Sequence, residues 1–351
     1  MLSGKKRGES DVQFNWIFVL AAGAVFLFII FRVISAQRSS AELSASVTLR
    51  TRLGSTVAAS LSQDEYSGEI SLGKEGINFS CGKAIFQKIA ATDLGPEFSQ
   101  KYISSDASSL IIKSEQWDFP MKAGSLVYLS SPKNSYLFVK NSMFSDLINE
   151  IYDKMPDAVD KALIENSSDL ENEIKNRPGK DIRVIMFNEQ PSAKSLSSSA
   201  SFISFYPASG ASIEYGTVEL YNKQIKSFEK TLYFGKEMLV AAVYSESVDD
   251  YECSAKKAFD RLYWILDISK ARLQKMSADY PKNSDCQALL SSTEQDSAQG
   301  RISGFMDVIL ALKNSGRMNQ VPNIGAEINS AVANLNSKNT QLVRFSCPSI
   351  Y

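Results

Sequence analysis

Phe14–Ile34 reads FNWIFVLAAGAVFLFIIFRVI, and the interpretation of the whole chain turns on it. From Trp16 to Phe31, sixteen consecutive residues are apolar or small, and none is charged. The 21 residues of the stretch rise ~31 Å as an α-helix, the thickness of a bilayer's hydrocarbon core. Trp16 falls where an interfacial aromatic sits, and Arg32 is near enough to the far end to snorkel. A core helix of this length would carry a polar face, and this one has none. The run is too long for the apolar part of a cleaved secretory signal, and Ser35-Ala36-Gln37 is a poor exit site. The remainder is polar enough to be water-soluble. The expectation is one transmembrane helix, 14–34, behind a short basic tail, 1–13.

Residues 35–63 contain no proline and carry Leu43, Val47, Leu53, Val57 and Leu61 at mainly four-residue steps. They read as a helical stalk. If the stalk continues the anchor, one helix from Phe14 to about Ser62 would be ~74 Å long; the alternative is a helix ending near Gly54.

In front of the apolar run stands Lys5-Lys6-Arg7-Gly8-Glu9. The first reading is a signal-anchor with a basic cytoplasmic flank. The pattern also resembles the class III signal of archaeal and bacterial type IV pilin-like proteins, over about the first 35 residues. The resemblance implies that a dedicated peptidase cuts between Gly8 and Glu9 and that the apolar helix stays as an assembly core. Members of that family usually carry Glu at the fifth position after the cut; here it is Gln13. A long first helix, half in the membrane and half under a globular head, is likewise a pilin-like trait.

The basic cluster keeps the tail in the cytoplasm under the positive-inside rule, which places the body outside. Four cysteines, Cys81, Cys253, Cys286 and Cys347, form an even set with no C-x-x-C, and read as two disulfides rather than a redox motif or zinc knuckle. A straight helix over residues 254–277 would separate Cys253 from the next helix by ~35 Å, which disfavours a Cys253–Cys286 bridge. The reading leans to Cys81–Cys286 with Cys253–Cys347, or the remaining alternative. Asn78-Phe79-Ser80 and Asn166-Ser167-Ser168 are glycosylation-type sequons.

Composition excludes as much as it suggests. The formal net charge is −1, from 38 basic and 39 acidic residues, without a basic stripe, so no nucleic-acid footprint appears. The chain has no histidine. That removes Ser-His-Asp and Cys-His hydrolases and His-ligated zinc or haem. No phosphate-binding glycine loop occurs. Ser-x-x-Lys occurs at Ser71/Lys74, Ser80/Lys83, Ser227/Lys230 and Ser254/Lys257, among other places, about as often as chance gives in so Ser- and Lys-rich a chain. Asp249-Asp250 with Glu252 is an acidic cluster suited to a helix N-terminus, with a weak cation site as the alternative. Trp117 with Asp118, Phe119 and Pro120 reads as a core plug rather than a recognition loop.

The body reads as α+β. Residues 64–248 are β-rich, and 249–351 form a helical subdomain with a closing strand. Ser67–Ser80 is expected to be a hairpin leading to Cys81, and 109–140 three strands. A helix is marked by Phe144, Leu147, Ile148, Ile151, Tyr152 and Met155. Pro156 opens a second helical segment through Val159 and Leu163. Asp181–Phe187 reads as a buried strand, and the Ser-rich stretch 191–201 as a mobile loop. Further strands are expected at 202–206, 212–221, 228–234 and 237–244, the last pair joined by a tight turn at Phe234-Gly235-Lys236-Glu237. Three apolar stripes, beginning at Ala255, Ile302 and Ile324, mark helices, and Thr340–Ser346 the closing strand.

The functional expectation is a single-pass, membrane-anchored extracytoplasmic protein with a structural or partner-binding role. Its sharpest form is a pilin-like surface assembly subunit. The alternative is a membrane-tethered hydrolase using carboxylates, whose acids leave no local pattern. No metal or cofactor is expected. The expected partners are the lipid bilayer, further copies of the chain or other cell-surface proteins.

Overall fold

The computed structural model describes residues 9–73, 76–86, 89–191, 200–208, 215–222, 225–281, 284–291 and 295–351. Its first element, α1, is a single helix, Glu9–Ser60, of 52 residues and ~78 Å. Every residue from Phe18 to Ala45 is exposed, the apolar ones included. Burial starts at Ser46 and follows Leu49, Leu53, Val57 and Ser60, steps of three and four that keep one face against the body. The seam is thus not the one expected: Leu43 and Val47 stay exposed, because the body begins beyond the first and off the packed face of the second.

Three sheets follow, and the fold is α+β. The first pairs β1 (Glu65–Ser71) with β7 (Ser109–Asp118), β8 (Lys122–Ser130) and β5 (Glu97–Phe98). The second is small: β4 (Thr92–Asp93), β3 (Lys83–Ile85), β2 (Ile77–Ser80) and β6 (Tyr102–Ile103). The expected 67–80 hairpin does not form. β1 pairs with β7, and the hairpin lies one strand later, where Ser80 faces Lys83 across the two-residue turn Cys81-Gly82. Both turn residues have positive φ, 51° and 69°, the geometry whose twist matches paired strands. A Cβ on Gly82 would lie 2.1 Å from the Gly95 carbonyl oxygen, so only glycine fits.

The third sheet has six strands, β10 (Asp160–Ile164), β9 (Asn134–Val139), β11 (Asp181–Phe187), β12 (Ala200–Pro207), β13 (Tyr215–Asn222) and β14 (Ser227–Phe234), in that spatial order. β10, β9, β11 and β12 are parallel; β13 and β14 return antiparallel. Helix α2 (Ser145–Lys154) crosses from β9 to β10 on one face, and α3 (Leu170–Lys175) from β10 to β11 on the other. The strand β10 corrects the expected helix after Pro156. Met155, before the proline, is extended, as pre-proline sterics favour, and 160–164 finds its partner in β9.

The other correction falls at Lys236–Tyr244, which is helix α4 and not a strand, with Gly235 at its N-cap instead of in a hairpin turn. Met238–Tyr244 are all buried. An apolar run buried on every side has no periodicity to separate helix from strand. Helices α5 (Val248–Asp279), α6 (Asp285–Leu290), α7 (Ala298–Asn314) and α8 (Ile324–Arg344) complete the chain. The expected closing strand is absent: Thr340–Arg344 continue α8, Leu342 extends its buried stripe, and Val343 is exposed. The first sheet is shared. One face (Leu110, Ile112, Val127, Leu129) packs toward α1, and the other (Ile111, Leu126, Tyr128) joins the large core under α4 and α5.

Candidate functional site

The anchor-like segment and the body meet different physical demands. Among the described residues one helix is long and apolar enough to cross a bilayer, and none of its apolar window is buried. Glu9 begins that helix; Gly8 lies outside the described residues.

All four cysteines are paired. Of the two pairings left open by the sequence, the second forms: Cys81 joins Cys253 and Cys286 joins Cys347, with Cα separations of 5.3 and 5.4 Å, and no Cys253–Cys286 bridge exists. The β2–β3 turn presents Cys81 to the first turns of α5, while α6 lies at the far end of that helix beside the chain's end. Asn78 is exposed on β2, and Asn166 is exposed just before a 3-10 turn, Ser167–Asp169.

Where Cys253 enters, acidic groups converge. Ser247 caps α5, its hydroxyl accepting from the Asp250 amide at 3.3 Å. The cluster Asp249, Asp250, Glu252 disperses. Asp249 pairs with Arg317 at 2.8 Å. Asp250 faces Lys101 at 3.4 Å. Glu252 is buried and accepts from Thr231 Oγ1 at 2.7 Å and from the Met318 amide at 3.1 Å. No group of three His, Cys, Asp or Glu suited to a metal exists among the described residues.

Glu97 on β5 is the carboxyl that departs furthest from solution behaviour among the described residues. It is buried, and desolvation pushes its carboxyl up to about 7; Ser99 pulls it down, the Asp250 charge pushes it up, and Lys257 pulls it down. Burial also raises the Asp250 carboxyl, against Ser247 and Lys101. Two acids thus face each other beside the Cys81–Cys253 bridge. The space between them, lined also by Ser99, Ser245 and Ser254, is about 10 Å³, room for a single water. No substrate fits there.

The serine–lysine pairs are equally unproductive. Lys230 is paired with Glu219 at 2.6 Å and Lys257 with Asp93 at 3.2 Å, and no hydrogen bond joins serine to lysine in the three pairs within the described residues. Lys74 lies outside them. Trp117 is 1% exposed, stacked on Phe119 at 5.4 Å and edge-on to Phe259 at 5.3 Å, the expected core plug.

A cleft of about 320 Å³ opens at the amino ends of β11 and β12, between the six-stranded sheet and the α4–α5 junction. Arg183, in the register position opposite Tyr136 of β9 and Ser201 of β12, lines its floor and is 2% exposed. Sequence reasoning took Asp181–Phe187 as a buried strand without using its one visible anomaly, a guanidinium at an inward position. Glu97 carried no such signal, because its burial depends on α5, some 150 residues away.

No protein family, curated protein or solved structure matches this chain.

Proposed function

We propose that the chain is a single-pass membrane-anchored protein whose disulfide-braced α+β body lies outside the cytoplasm and serves a structural or partner-binding role, with α1 as a pilin-like assembly helix. The observation that supports it most is the continuity of α1. One helix carries a half whose apolar residues meet nothing and a half whose Ser46–Leu49–Leu53–Val57–Ser60 face is seated in the body. An apolar surface that long has no reason to stand free in water, and lipid or the same helices of neighbouring copies would cover it. Two disulfides accord with an oxidising compartment. The carboxylate-hydrolase alternative gains nothing from the acid pair, which leaves no room for a substrate.

The test is an intact mass of the membrane-extracted native protein, unreduced and then reduced and alkylated, with sheared surface material probed in parallel. Loss of residues 1–8, four thiols labelled only after reduction, and protein in the sheared fraction are the expected results. A full-length mass with all thiols labelled before reduction would sink both the export and the processing. A full-length mass with protected thiols would leave the anchor and remove the pilin-like part.

A further inference from the structure

We propose that the Arg183 cleft is a binding site for a small zwitterion of the α-amino-acid class, with Arg183 holding the carboxylate and Asp181 and Glu246 the ammonium.

Arg183 occupies a position that a structural arginine alone does not explain. Its guanidinium has five N–H donors in a planar fork. One donates to the Val243 carbonyl in the last turn of α4; Nε is buried and has no partner. No carboxylate forms an ion pair with it among the described residues. The carbonyl end of α4 offers it only a partial negative charge. A full charge held out of water without a counter-ion is among the costliest arrangements in a protein interior, and the usual resolution is a paired anion. Within the body, the carboxylates of Glu246, Asp181 and Asp250 act on it only through space and without an ion-pair contact, and burial still draws the guanidinium below its usual basicity. Yet the side chain lines an open cleft, so an anion from solution can reach it. The guanidinium fork fits a carboxylate in bidentate fashion.

The mouth of the same cleft has the opposite sign. Asp181 is exposed and makes no side-chain hydrogen bond or ion pair among the described residues. Glu246 is exposed too, and one of its oxygens accepts the Lys101 amide at 2.7 Å. The neighbouring charges are already committed: Lys101 faces Asp250 at 3.4 Å, and Glu229 pairs with Arg317 at 3.3 Å. What remains is one cation at the bottom and two carboxylates at the rim. A phosphate dianion would be repelled at the entrance, and a plain carboxylate would meet the same barrier. A molecule with its carboxylate leading and its ammonium trailing satisfies both ends. The volume, about 320 Å³, is at the lower end for small-molecule sites and accommodates a single amino acid rather than a peptide. The proposal is independent of the membrane topology.

The test is isothermal titration of the full-length chain in detergent micelles with each protein L-amino acid, and with acetate, methylammonium and inorganic phosphate as separated chemistries. At least one amino acid should bind saturably, with acetate and methylammonium each weaker by about tenfold or more. Asp181→Asn, on an exposed side chain whose loss leaves the fold intact, should weaken that amino acid by about tenfold or more. Arg183→Lys should weaken it further, and where that variant fails to fold the Asp181→Asn result decides. The proposal is overturned if no amino acid binds at up to about 10 mM. It is equally overturned if phosphate or acetate binds as tightly as the best amino acid, or if Asp181→Asn leaves the affinity unchanged.

Discussion

Two helices close the two faces of one sheet, and they do so by different means. On one side α5 brings Tyr251, Ala255, Phe259 and Leu262 onto β8 and β5, tied by short connections into the large core. On the other side α1 brings little more than Leu49, Leu53 and Val57 onto β1 and β7, and the rest of its length leaves the body. The same β7–β8 pair serves both, alternating Leu110 and Ile112 toward α1 with Ile111 toward α5. The contrast teaches that a sheet with two apolar faces can be closed permanently on one and seat a helix that belongs elsewhere on the other.

The largest test of this contrast is the bridge that crosses it. Cys81–Cys253 closes a separation of 172 residues and Cys286–Cys347 one of 61, so the loop-entropy account assigns about 5 and about 4 kcal/mol to them. Double replacement by serine, followed by denaturant unfolding of the full chain in micelles, should cost more for the first pair. The reverse order would mean that the hairpin and α5 hold together without the bond. Next come the two faces. Phe259→Ala, which removes the edge partner of Trp117, should cost about 4 kcal/mol, and Leu53→Ala about 3 kcal/mol. Equal losses from the two would erase the distinction between the faces.

The third test uses pH. Glu97 holds its proton up to about 7 in the folded body, against an ordinary glutamate value of 4.5 when unfolded. The folded state therefore binds the proton more tightly, and stability falls as pH rises from 4.5 to 7, then levels, by about 3 kcal/mol from this group. Asp250 and Glu237, whose carboxyls burial also raises, act in the same sense, while the lowered carboxyls of Asp93, Asp106 and Asp296 act in the opposite sense and below that window. Glu97→Gln should flatten the profile between about pH 5 and pH 8, read from denaturation midpoints; an unchanged slope would place the titration elsewhere. The smallest effect is Ser247→Ala, which removes the α5 cap and should cost about 1 kcal/mol in the same assay.

Much of this architecture was legible where periodicity and burial agree. The α2 stripe and the three C-terminal stripes are readable from spacing, since each helix buries one face and exposes the other, whereas the strands of 109–140, buried on both faces, are marked by β-prone runs between turn residues. The errors have other causes. Lys236–Tyr244 is buried all round, so its sequence has no face to reveal. β10 is helix-like in isolation and becomes a strand only because β9 offers a parallel edge. β1 was given a neighbour in sequence, although its partner is β7 some 40 residues on. The helix length rightly disfavours Cys253–Cys286, but choosing between the two remaining cysteine pairings needs the course of α5 and α6, which the sequence does not supply. At the cleft, Arg183 was visible as an inward charge in a strand, but Glu246 and Ser201 reach it only through the packing of distant segments.

The unbroken course of α1 has a mechanical consequence. With residues 14–34 in a bilayer, the stretch from Ile34 to Ala45 would be a bare helical shaft of ~17 Å with neither proline nor a flexible joint. Such a shaft transmits torque. A tilt of ~10° at the membrane would swing the body's attachment point by ~3 Å and turn the whole body through the same angle. Bilayer thickness would thereby set the direction in which the body faces.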